Sequence, residues 1–80
     1  MKIKVLGPGC KNCQKLEKNA VAALAEVGQE AEIEKVTDYA AIAGYGVMKT
    51  PGLVIDDRVV VSGKVASAAE IADLLRAANP

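Results

Sequence analysis

The hydrophobic period of this chain changes from two residues to between three and four at Gly7, and then changes back, which dictates how the fold must begin. From Lys2 to Leu6, Lys2 and Lys4 alternate with Ile3 and Val5, the pattern of a strand with one face on a core. Gly7-Pro8-Gly9 breaks the pattern. From Cys10 or Lys11 to Val27 the apolar positions Leu16, Ala20, Ala23, Leu24 and Val27 recur at helical spacing, with Gly28 placed to cap the end. Alternation returns over Glu30 to Val36, where Ala31 and Ile33 oppose Glu30, Glu32 and Glu34. Two strands joined by a helix pair in parallel through a right-handed crossover.

The second half adds a hairpin and two helices. Asp38 can cap a short helix that runs through Ala43 and ends at Gly44 and Gly46. Thr50-Pro51-Gly52 introduces the strand Leu53-Val54-Ile55, Asp56-Asp57 turns, and Val59-Val60-Val61 returns. Ser67 and Glu70 have capping-box spacing and open a last helix with Ile71, Leu74, Leu75 and Ala78 on one face. The expected architecture is α/β: a four-stranded mixed sheet with helices on both faces, in the order β-α-β-α-β-β-α, with residues 1–80 forming one domain.

Composition narrows the function. Hydrophobic residues are 51% of the 80, enough for a compact core without metals or crosslinks, and with no Phe or Trp that core must be aliphatic. Ten Lys and Arg balance ten Asp and Glu, so no broad field gathers nucleic acid or an anionic membrane. The longest apolar run, Ala20 to Ala25, is too short to span a bilayer, and the first residues read as a strand rather than a signal segment. The expectation is a cytoplasmic monomer with no membrane and no nucleic-acid partner.

Chemistry concentrates at Cys10-Lys11-Asn12-Cys13, which contains the chain's two cysteines, at the strand-to-helix junction. Two residues between them on a helix start hold the sulfurs about one turn apart, close enough to form and break a disulfide. A loop so short adds little stability, so the pair's value is chemical. Cys13 shares the stripe of Leu16, Ala20 and Val27 and points to the core. Cys10 precedes the first turn, where unpaired N–H groups, the helix dipole and Lys11 all favour a thiolate. Lowering a cysteine from about 8.5 to about 6.5 takes its thiolate fraction at pH 7 from about 3% to roughly three-quarters. The expected reaction has Cys10 as nucleophile and Cys13 as the resolving thiol.

Thr50-Pro51 stands before an apolar strand. Proline there can simply fill a position that needs no ladder donor, or form a cis bond whose flanking backbone faces the cysteines and pairs with extended substrate. Cys10-Lys11-Asn12-Cys13, Gly46-Val47-Met48-Lys49-Thr50-Pro51 and Gly63 after the hairpin together resemble the thioredoxin superfamily, over nearly the whole chain in element order. The length is similar to that of the small archaeal and bacterial thioredoxin-like and glutaredoxin-like proteins. The resemblance implies a thioredoxin-like fold, a cis Pro51 opposite the cysteines, a protein disulfide as substrate, a recycling reductase or small dithiol, and no cofactor. Lys11, Asn12, Thr50 and, more weakly, Tyr45 become supporting residues, Tyr45 as a ring able either to lean over the disulfide or to pack. This chain departs from the family pattern in four places. Lys11-Asn12 between the cysteines is neither the Gly-Pro of thioredoxins nor the Pro-aromatic pair of glutaredoxins. Gly63 stands alone where glutaredoxins carry the double glycine that helps hold glutathione. Gly9 replaces the Trp that thioredoxins carry before the first cysteine. Lys2–Leu6 holds no acidic residue to deprotonate Cys13, leaving water, a lysine or the substrate thiolate.

Two other functions use the same residues. A copper(I) or zinc carrier also employs paired thiolates. Such carriers usually place Met where Pro8 stands and end on a strand, whereas this chain ends on a helix, and no metal site is expected. A non-catalytic binding module would use the groove beside Pro51. Cys-His nucleophilic chemistry is excluded, because the chain has no histidine.

Overall fold

The computed structural model describes residues 2–9 and 11–78. Its elements run β1 (Lys2–Leu6), α1 (Lys11–Val27), β2 (Glu32–Val36), α2 (Tyr39–Gly44), β3 (Gly52–Ile55), β4 (Arg58–Ser62) and α3 (Ala68–Ala78). The sheet order is β2-β1-β3-β4, with β1 and β2 parallel and the other two pairings antiparallel. This is the mixed α/β sheet expected from the periodicity. Strand β2 starts at Glu32 rather than Glu30 because the ladder begins at the pair Lys2–Glu32. That register also sets Lys4 beside Glu34, so the acidic face of β2 lies along the basic face of β1.

Alternation along β1 and β3 feeds two cores. Ile3, Val5, Leu53 and Ile55 point to one side, where Leu16, Ala20 and Ala23 of α1 and Ile71, Ala72 and Leu75 of α3 cover them. Leu6 and Val54 point to the other, where they meet Ile42 of α2 and Val47. Every residue of β3 is buried, as a central strand covered on both faces requires. The buried alanines of α1 and α3 let the two helices sit close on one another.

Local chemistry fixes the element ends. Gly28 has φ +69°, its N–H donates to Ala25 O at 3.3 Å, and Gln29 N–H donates to Leu24 O at 3.1 Å. These are the two bonds of a Schellman stop. Ser67 Oγ accepts from Glu70 N–H at 3.1 Å while Glu70 Oε1 accepts from Ser67 N–H at 3.3 Å, completing the capping box of α3. Asp56 and Asp57, at φ 48° and 67°, close the hairpin as a two-residue turn of type I′. The β3–β4 register then jumps from Val54–Val59 to Leu53–Val61, a bulge at Val60. Because of it the adjacent Val60 and Val61 both reach the first core.

Candidate active site

The site is built at the C-terminal end of β1. Cys13, the third residue of α1, is buried at 4% exposure on the same stripe as Leu16, as its spacing predicts. Its sulfur is disulfide-bonded. Cys10 and its expected role lie outside the described residues. Gly7, at the end of β1, is buried, and its N–H donates to Val36 O at 2.9 Å. A Cβ on Gly7 would land on Cys13 Sγ and stand 3.3 Å from Cys13 Cβ and 3.7 Å from Thr50 Cβ. Only a residue without a side chain leaves the cysteine and the Thr50 loop room to face each other there. In the sequence Gly7 reads as one of three residues that break the strand pattern, and nothing local distinguishes that from a contact made across the fold.

The Thr50–Pro51 peptide bond is cis. Pro51 is buried and Thr50 half-buried, and the Pro51 carbonyl accepts from Gly63 N–H at 2.9 Å, which ties the loop to the end of β4. Gly63 has φ +75°, and a Cβ there would also crowd Lys49 Cβ at 3.0 Å. Lys11 and Asn12 are exposed, and the first turn of α1 contains no acidic residue to offset its positive end. Gln14 Nε2 donates to Gly9 O at 3.2 Å, joining that turn to the preceding loop.

Of the two roles open to Tyr45, its ring takes the packing one. It packs against the second core, of Leu6, Ile42, Val47 and Val54. There its hydroxyl accepts a hydrogen bond from Lys4 Nζ, which lies 5.2 Å from the ring centroid. Lys4, half-buried on β1, thus gains a polar partner beside the ion pair it makes with Asp57 at 3.9 Å. The hydrogen bond to Tyr45 outweighs the opposing effect of desolvation and holds the Lys4 ammonium above the ordinary lysine value.

A second feature is legible only in three dimensions. A cavity of about 80 Å³ lies beside Cys13, lined by Gln14 and Glu17 from α1 and by Lys35 and Thr37 across from them, with Val5 of β1 also on its wall. Lys35 Nζ and Glu17 Oε2 are 3.3 Å apart, with the Glu17 side chain 27% exposed. Among the described residues no three side chains of metal-ligating type stand together.

The thioredoxin domain family model matches residues 1–76. The chain belongs to the thioredoxin family. It is 45% identical to a thioredoxin of Methanothermobacter thermautotrophicus, over 94% of this chain and 97% of that protein. It is 42% identical to a thioredoxin of Methanocaldococcus jannaschii, over 92% of this chain and 85% of that one. Membership makes the chain a thiol–disulfide oxidoreductase. No helix among the described residues is long and apolar enough to cross a membrane.

Proposed function

We propose that Cys10 and Cys13 form the reversible disulfide of this oxidoreductase, with Cys10 as nucleophile and Cys13 as resolving thiol. The observation that carries this reading is the state of Cys13. It is buried, disulfide-bonded and fitted against Gly7, in a chain whose sole other cysteine is Cys10.

In the reducing direction the Cys10 thiolate attacks one sulfur of a substrate disulfide, and the other substrate sulfur leaves as a thiolate. The Cys13 thiolate then attacks Cys10 Sγ and expels the second substrate thiolate. Two electrons pass to the substrate, which takes up two protons, and the protein keeps the Cys10–Cys13 bond. A protein disulfide is the substrate, and a reductase or small dithiol restores the dithiol form. Lys11, Asn12 and the first-turn N–H groups favour the Cys10 thiolate. The Thr50–Pro51 backbone, which shares with Cys13 the space beside Gly7, pairs with an extended stretch of substrate. The protein works as a cytoplasmic monomer of one domain.

Redox titration in defined dithiol buffers, read by alkylation and mass, tests this. Both thiols should change together in one reversible two-electron transition. Cys10→Ser should abolish attack on disulfides, whereas Cys13→Ser should accumulate mixed disulfides. Equal alkylation rates for the two thiols of the reduced protein would refute the division of roles.

A further inference from the structure

We propose that Glu17, anchored by Lys35, accepts the Cys13 proton through water held in the cavity that these three residues share. The inference rests on Cys13 being the resolving thiol. That role requires a buried thiol to lose its proton, and β1 carries no acidic residue to take it. The cavity supplies what the strand lacks. Glu17 lies four residues after Cys13 on α1, and side chains at that spacing share a helix face. Both line the same space of about 80 Å³, room for a few water molecules. Glu17 and Lys35 are the charged side chains on its wall, and the 3.3 Å ion pair fixes the carboxylate at its edge.

The step balances without an added reagent. Cys13 S–H gives its proton by way of water to the Glu17 carboxylate, and the thiolate so formed attacks Cys10 Sγ of the mixed disulfide. The Cys10–substrate S–S bond breaks. The departing substrate thiolate then takes a proton, which Glu17 can return through the same water.

The sign of a charge-removing substitution separates this role from simple proximity. A carboxylate that only sat nearby would disfavour the Cys13 thiolate, so Glu17→Gln would speed the step. A proton acceptor predicts the opposite.

The test is stopped-flow reaction of the reduced full chain with dithiobis(nitrobenzoate). The first coloured thiolate reports attack by Cys10, and the second reports attack by Cys13. Near pH 6, Glu17→Gln should slow the second phase about 100-fold, the low end for a positioned base. The gap should narrow as pH rises, because hydroxide from bulk solvent then takes the proton without Glu17. Glu17→Asp, which keeps a carboxylate, should recover most of the rate, and thermal unfolding of the same samples checks that both variants are folded. A Glu17→Gln second phase as fast as the wild type's, or faster, from pH 6 to 9 would overturn the role of Glu17. Release of a single thiolate per protein by the wild type would instead overturn the Cys10–Cys13 exchange on which the proposal rests.

Discussion

Gly7→Ala puts one methyl group where β1 meets the cysteine, and its cost can be worked from the contacts. The built Cβ overlaps Cys13 Sγ and lies 3.3 Å from Cys13 Cβ, tighter than ordinary packing, while Thr50 Cβ at 3.7 Å is a normal contact. The penalty therefore comes mainly from the sulfur. Overpacking of a buried site costs about 1–3 kcal/mol. Gly7 does not have a positive φ, so alanine fits its backbone and recovers about 0.4–1 kcal/mol through the unfolded chain. The net loss should be about 1–2 kcal/mol, or roughly 4–16 °C in Tm for a domain of this size. Urea unfolding under reducing conditions, in wild-type and Cys13→Ala backgrounds, isolates the sulfur's share. With the sulfur gone, Gly7→Ala should become neutral or slightly stabilising, giving a coupling of about 1–3 kcal/mol. Additive effects, or a Gly7→Ala cost that survives unchanged without the sulfur, would refute the claim that the contact with Cys13 is what requires glycine.

Other expectations concern the packing and capping of the helices. Leu16→Ala, at a fully buried position between α1 and the sheet, should cost about 2–5 kcal/mol in urea unfolding. Ser67→Ala should cost about 1 kcal/mol by removing half of the capping box. The hydrogen bond from Lys64, and then that from Ser67 N–H, hold Glu70 below its ordinary value. Its contribution is thus complete above about pH 4.3 and fades as pH falls through the depressed folded value. Urea midpoints taken from pH 6 down to pH 2 should fall less steeply for Glu70→Gln than for the wild type, and parallel curves would contradict this reading.

Much of the architecture could be read along the chain because each element obeys short-range rules. Lys2–Leu6 alternates, Leu16 to Val27 keeps a helical stripe, and Gly28, Asp38 and Ser67 are cap residues that each act within a few positions. The type I′ turn needs only two residues tolerant of positive φ, and Asp56-Asp57 supplies them. What escaped sequence reading depends on residues far apart. Gly7 meets Thr50 across the fold, Tyr45 finds Lys4 forty-one positions away, and Glu17 on α1 finds Lys35 on β2. Glu17 had a partial signal in its four-residue spacing from Cys13, but an exposed helix face produces the same spacing. The bulge at Val60 was invisible because Val59-Val60-Val61 reads as a uniform apolar run, with nothing to mark which valine slips.

The strand order leaves β2 and β4 as the two outer strands, each a possible template for a neighbouring chain. They resist that pairing by different means. Strand β2 displays Glu32, Glu34 and Lys35 to solvent, a charged fringe that a docking strand would have to desolvate. Strand β4 carries few charges and exposes Val59, but its register slips at Val60, so it does not offer an even row of donors and acceptors. Acid and salt weaken the first guard and leave the second intact. Strand-to-strand self-association at low pH would therefore begin along β2, even though β4 is the more apolar edge.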